Sequence, residues 1–171
     1  MMLTDVIPLA GDHNRKSFSC GESSLDNWLL RHARKAAKAD TARTYVLCDP
    51  AGVVMGYYAL CMYSLVPEEV APLSAGQHAV PAVLLARLAV DQMCQGTGLG
   101  EELLLDALVV SVRAADTLGS QVLVVDALHE RAAAFYARYN FKAFDRDPLK
   151  LYLPMKEIRC TLREAGLYDG G

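Results

Sequence analysis

Val83 to Val90 is a run of strand length, apolar but for Arg87, and it leads through Asp91 into Gln95-Gly-Thr-Gly-Leu-Gly100, from which a long helix reads on to Leu118. A strand, a glycine-rich turn and a helix in that order leave few ways to fold. Glycines at 96, 98 and 100 remove side chains, so backbone N–H groups can close on phosphate oxygens. The helix that begins near Gly98 adds the positive end of its dipole. The turn is therefore predicted to hold an anion, and a phosphorylated cofactor is the natural occupant.

What the turn lacks narrows the choice. A nucleoside-triphosphate loop needs Lys-Ser or Lys-Thr after its last glycine, whereas Gly100 is followed by Glu101 and Glu102. A dinucleotide fingerprint needs Gly-x-Gly-x-x-Gly, but the third position falls on Glu101 or on Leu103. What remains is Gln95-x-x-Gly98-x-Gly100 after a strand, which resembles the pyrophosphate loop of the GNAT acyltransferases that use acetyl-coenzyme A. Further on, Gln121 to Ala127 reads as a buried strand and Glu130 to Tyr139 as a helix. Phe135-Tyr136-Ala-Arg-Tyr-Asn140-Phe141 then resembles that family's Phe-Tyr-x-x-x-Gly-Phe element. The resemblance implies that Tyr136 is the catalytic residue, protonating the departing thiolate. Free tyrosine titrates near ~10 and a thiol near ~8.5, so the phenol is a competent donor at neutral pH. The competing reading of Tyr136 is packing on an aromatic helix face with Phe135 and Tyr139.

Composition fits one enzyme domain over residues 1–171. Apolar residues make up 53% and charged residues 22%, a globular balance. No run approaches the ~18 consecutive apolar residues of a membrane helix. Met1 to Ser17 is interrupted by Pro8, Asp12 and Asn14 and does not read as a secretory signal. The five cysteines, at 20, 48, 61, 94 and 160, form no Cys-x-x-Cys pair, and the four histidines, at 13, 32, 78 and 129, are dispersed. No disulfide framework, metal site or cysteine nucleophile is expected, and a reducing cytoplasm suits the chain.

Leu3 to Pro8 is expected as a first strand, and Ser23 or Ser24 as the cap of a helix running toward Lys38. Arg43 to Cys48 and Val53 to Leu60 flank the turn formers Asp49-Pro-Ala-Gly52 and are expected to pair as a hairpin. Pro67, Pro72 and Pro81 punctuate a segment expected to cross the surface. A last strand at about 149–154 completes a mixed αβ domain. The order resembles the GNAT fold: a mixed central sheet with a V-shaped splay and helices on both faces. On that resemblance the backbone of Leu88, Ala89 and Val90 pairs with the pantetheine arm of acetyl-CoA. Gln95, Gly96, Thr97, Gly98, Leu99 and Gly100 then hold the pyrophosphate. Many relatives carry Asn at the place of His129 and Gly at the place of Asn140. Asn tolerates a left-handed backbone, so Asn140 can keep the turn. His129 either contacts the cofactor arm or caps the following helix. Asp91 is the nearest proton acceptor in sequence, yet an aspartate at a strand end more often positions a turn.

The acceptor must be read from the first helix. At roughly 100° per residue, Leu25, Trp28, Leu29, His32, Ala33 and Ala36 share one side, while Arg31, Arg34, Lys35 and Lys38 gather on another. Between Ser24 and Arg43 five basic residues face two acidic ones, although the whole chain carries −3. A basic stripe on an acidic protein suits a polyanionic partner, the plainer reading being a solvated surface. Phe18-x-Cys20-Gly21, Leu25-Asp26-x-Trp28-Leu29, Arg43-Thr44-Tyr45-Val46, Gly56-Tyr57-Tyr58 and Ala86-Arg87-Leu88-Ala89-Val90 together resemble the GNAT toxins of bacterial toxin–antitoxin pairs. That resemblance implies acetylation of the α-amine of aminoacyl-tRNA, which blocks translation. It further implies tRNA phosphates on Arg31, Arg34, Lys35 and Lys38, a ribbon-helix-helix antitoxin and a homodimer. The alternatives are a GNAT enzyme acting on a small amine or a protein N-terminus, and a cofactor-binding module without turnover. Which aminoacyl-tRNA is chosen is not written in these motifs.

Overall fold

Asp49 closes the first hairpin as its turn chemistry predicts. Its Oδ1 accepts from the N–H groups of Ala51 and Val53, each at 2.9 Å, and Gly52 takes φ +83°. The strands on either side, β2 (Arg43–Cys48) and β3 (Val54–Leu65), pair antiparallel, with an irregularity between Leu47 and Cys48. The computed structural model describes residues 3, 5–66 and 79–170. Around the hairpin lie β1 (Ile7–Pro8), α1 (Ser23–Arg31) and α2 (Ala33–Lys38). The chain continues as β4 (Val80–Val90), α3 (Leu99–Leu118), β5 (Val122–Asp126), α4 (Glu130–Ala137), β6 (Lys142–Phe144), β7 (Asp147–Pro154) and α5 (Met155–Glu164). The seven strands are ordered β1-β2-β3-β4-β5-β7-β6, and β4 runs parallel to β5, so the sheet is mixed as expected.

Contacts group into two compact units, Met1–Cys61 with Ala86–Ala107 and Met62–Leu85 with Leu108–Gly171. The first is built on Phe18, Leu29, Ala33, Val46, Val54, Tyr57 and Ala89, with Leu25 and Trp28 packed against them. In it Tyr58 is fully buried and donates to Asp106 Oδ2 at 2.5 Å, tying β3 to the first part of α3. The second is built on Leu65, Val80, Ala82, Val122, Val124 and Phe144. There β4 and β5 are in register from Ala82↔Val122 to Leu85↔Val125, and β5 pairs antiparallel with β7.

Several expected boundaries move. The helix from Ser23 to Lys38 is two helices, because Arg15 Nη1 donates to the carbonyls of Leu29 and Leu30 at 3.2 and 3.1 Å. Those carbonyls would otherwise receive the next turn, and the chain bends at His32 (φ −117°). Neither serine caps α1. Ser23 and Ser24 are its first helical residues, Glu22 is the N-cap without a side-chain bond, and Asp26 Oδ1 reaches back to the N–H of Cys20 at 2.9 Å. The first strand is only Ile7–Pro8, and Thr4 lies outside the described residues. Strand β3 runs past Leu60 to Leu65, with Met62 and Ser64 outward, and β4 starts at Val80. Pro81 sits within it, its carbonyl accepting from the N–H of Gln121 at 2.9 Å. Pro67 and Pro72 lie outside the described residues. Helix α4 stops at Ala137 instead of Tyr139, and Asn140 turns the chain at φ +71°, as its left-handed tolerance predicts. The last strand starts at Asp147. β6 and α5 were not anticipated, although Met155, Ile158 and Leu162 recur at helical spacing and are buried.

Candidate active site

Strand β4 ends on a buried carboxylate. Asp91 is only 6% exposed; its Oδ2 accepts from the N–H of Ser19 and its Oδ1 from that of Met93, both at 3.0 Å. Its own N–H donates to Met55 O at 2.8 Å. Asp91 thus fixes three segments at the entrance to the turn, which is the positioning role rather than that of a free base. A 3₁₀ turn over Gln92–Cys94 follows. Gln95 then donates through Nε2 to Val90 O at 3.0 Å and to Cys20 O at 2.8 Å, binding the turn to the strand end and to the N-terminal segment. Its side-chain amide is committed to this scaffold, which leaves its backbone to face a ligand. Thr97 Oγ1 donates to Cys94 O.

Gly96 and Gly98 have φ of +78° and +87°, and a Cβ at either would meet nothing within 4 Å. Conformation, not crowding, requires glycine there. Gly100 lies inside α3, whose first helical bond runs from the N–H of Glu102 to Gly98 O at 3.1 Å. The N–H groups of Leu99, Gly100 and Glu101 precede that bond and have no intrahelical acceptor. Two left-handed glycines in open space before a 20-residue helix make a concave set of donors suited to a pyrophosphate. Leu88, Ala89 and Val90 extend β4 beyond Leu85, the last of its residues in register with β5. Ala89 is buried, while Leu88 and Val90 are partly exposed.

The basic stripe is divided. Arg31, Arg34, Lys35 and Lys38 are all exposed. Arg34 and Lys38, one turn apart on α2, line a groove of about 250 Å³ together with Arg43 and Thr44, and Arg31 and Lys35 are not part of its lining. Arg43 is already paired with Asp40 Oδ1 at 2.6 Å and donates to Ala37 O at 3.0 Å. The Thr44 hydroxyl is buried without a partner among the described residues. Arg43 was counted in the basic excess of this region but not singled out; the strand that brings it beside α2 is a tertiary feature.

In the second unit Tyr136 is 6% exposed on α4. Its ring meets Phe135 and Phe141 edge-on, at centroid distances of 5.2 and 5.6 Å. Burial pushes the phenol well above the ordinary tyrosine range, so it is protonated at neutral pH. Its hydroxyl donates no hydrogen bond among the described residues. His129 is the N-cap of α4, its Nδ1 accepting from the N–H of Ala132 at 3.1 Å, which is the capping alternative. Among the described residues no group of three or more His, Cys, Asp or Glu is placed to hold a metal ion; His78 lies outside them. Burial lifts the Cys20 thiol to about 12 and the Cys48 thiol to about 11, far from nucleophilic.

The chain is 42% identical over 149 residues to the tRNA-acetylating toxin of Mycobacterium tuberculosis (strain ATCC 25618 / H37Rv), covering 85% of this chain and 89% of that protein. Its fold is similar to AtaT complexed with acetyl-methionyl-tRNAfMet, with a TM-score of 0.84, 30% identity and coverage of 94% and 99%. A similar likeness, with a TM-score of 0.82, 30% identity and coverage of 94% and 98%, joins it to a tyrosine-to-phenylalanine mutant of AtaT bound to acetyl-CoA and the C-terminus of the antitoxin AtaR. Residues 40–143 match the acetyltransferase (GNAT) domain, a span that includes the glycine turn and Tyr136, and the chain belongs to the GNAT acetyltransferase family.

Proposed function

We propose that the chain is an acetyl-CoA-dependent N-acetyltransferase that acts as a toxin by acetylating the α-amine of aminoacyl-tRNA. The observation that carries this reading is the 42% identity, over nearly the full length of both chains, to a tRNA-acetylating toxin. Bound acetyl-CoA supplies an activated thioester, and the protein's residues bind, orient and supply a proton. Backbone N–H groups of Gly96 to Gly100 hold the pyrophosphate, and the β4 edge at Leu88, Ala89 and Val90 pairs with the pantetheine arm. A backbone N–H near Val90 polarises the thioester carbonyl. The aminoacyl α-amine is less basic than a lysine amine near ~10.4, so its neutral form needs little base catalysis to attack. As the C–S bond breaks, Tyr136, protonated at neutral pH, gives its proton to the thiolate, and the proton released by the attacking nitrogen restores the phenol through solvent.

Arg31, Arg34, Lys35 and Lys38 hold tRNA phosphates, with the groove lined by Arg34, Lys38 and Arg43 as part of that surface. The whole chain acts as one enzyme domain in the cytoplasm, where charged tRNA is found. A homodimer pools two basic surfaces for a substrate much larger than one chain, and a ribbon-helix-helix antitoxin silences it. The antitoxin AtaR bound to a relative supports a partner of that role. The test is incubation with labelled acetyl-CoA and total charged tRNA, beside Tyr136→Phe. Label on tRNA with the wild type alone is expected. Label absent from tRNA but present on peptides or polyamines would move the chain to another GNAT acceptor class.

A further inference from the structure

Arg87 occupies an unusual place for a cation. It lies in β4 immediately before Leu88, and alternation along the strand puts it on the same face as Ala89, a member of the first unit's core. Its guanidinium carbon is 4.3 Å from the centroid of the Trp28 ring. The same indole stacks with Tyr57, ring centroids 6.1 Å apart and planes within 10°. Tyr57 is fully buried and donates to Leu25 O at 2.7 Å, which anchors the layers to α1. Guanidinium and phenol therefore both pack on one indole, which holds the cation in place.

Arg87 is half-buried, and burial lowers its pKa without removing its charge. No carboxylate pairs with it among the described residues, and the groups that act on it electrostatically are Tyr57 and Cys61. A half-buried cation without a counter-charge is costly. The fork of N–H donors along its edge suits a phosphate, and stacking fixes the direction of that fork. The neighbouring backbone is the run assigned above to the pantetheine arm, so an acceptor amine brought to the thioester must pass close to Arg87. In an aminoacyl-tRNA the nearest negative charge to that amine is the phosphodiester of the 3′-terminal nucleotide, one ribose away from the ester.

We infer that Arg87, held over the Trp28 ring, is a positioning residue that binds the 3′-terminal phosphodiester of the acceptor and so places its α-amine at the thioester. The inference rests on the aminoacyl-tRNA reading. The test compares wild type, Arg87→Gln and Arg87→Lys in acetyl transfer to charged tRNA across a salt series. Arg87→Gln is expected to raise KM for charged tRNA about 10-fold, with kcat and the KM for acetyl-CoA little changed. Because the 3′ end is single-stranded, the dependence of log(kcat/KM) on log salt should become shallower by about 0.7 in this variant. Arg87→Lys should keep the wild-type slope while recovering only part of the KM. An unchanged slope in Arg87→Gln, or a loss confined to kcat or to acetyl-CoA KM, overturns the inference and leaves Arg87 a packing residue. A wild type that binds acetyl-CoA yet modifies no charged tRNA overturns it together with the function on which it rests.

Discussion

Replacing Asp91 separates a residue that positions the turn from one that takes a proton. Its two carboxylate oxygens hold the N–H groups of Ser19 and Met93, each at 3.0 Å, at a site only 6% exposed. Asp91→Ala deprives both donors of their acceptor, and because Ser19 and Met93 are exposed and water can take its place, a net ~0.5–1.5 kcal/mol per bond gives a loss of about 1–3 kcal/mol. Asp91→Asn is nearly isosteric but has one acceptor oxygen; its NH₂ faces the second N–H, so the expected loss is about 0.5–1.5 kcal/mol. Urea denaturation should register this as a lower midpoint with an unchanged slope. Steady-state kinetics should show the KM for acetyl-CoA rising, because the turn loosens, while kcat at saturation stays near that of the wild type. An Asp91→Asn protein that is as stable as the wild type but has lost kcat would refute this reasoning and make Asp91 the proton acceptor.

Two further outcomes follow from buried ionisable groups. Burial raises the pKa of Tyr57, Tyr58 and Tyr136, so the fold holds their neutral forms while the unfolded chain ionises near ~10. Their contribution to stability is intact below that pH and is lost above it, by up to ~1.4 kcal/mol per tyrosine per pH unit; denaturant midpoints should begin to fall near pH ~8.5, where the thiols of the unfolded chain ionise while buried Cys20 and Cys48 stay protonated, and fall more steeply above ~10, and a midpoint flat throughout the alkaline range would count against this burial. Ellman's reagent at neutral pH should label the exposed Cys160 quickly and reach Cys20 and Cys48 only on unfolding, since both are buried with raised pKa. Rapid labelling of Cys20 in the folded protein would contradict its placement.

The parts of the site legible in the sequence are those fixed by local backbone needs. Gly96 and Gly98 announce left-handed geometry, Asn140 is one of the few other residues that tolerate it, and Asp49-Pro-Ala-Gly52 spells its turn. His129 caps α4 by a bond to a residue three positions away, which short-range reading can foresee. What escaped depends on partners distant in sequence. Arg15 interrupts the first helix from 14 and 15 residues away, Gln95 ties the turn to Cys20 across 75 residues, and Arg87 stacks on Trp28 from another element. Nothing near His32 or Gln95 in sequence records those bonds. Helix α5 is different: its buried stripe of Met155, Ile158 and Leu162 is written locally, at helical spacing.

The measurement that bears most directly on the acceptor is the identity of the acetylated atom. Charged tRNA treated with the enzyme and labelled acetyl-CoA is exposed to mild base, and the released material is analysed by mass spectrometry. The account predicts N-acetyl amino acid in the released fraction, with deacylated tRNA free of label and no product from Tyr136→Phe. Label that stays on the tRNA after base treatment, or that appears in peptide or polyamine fractions instead, would contradict it.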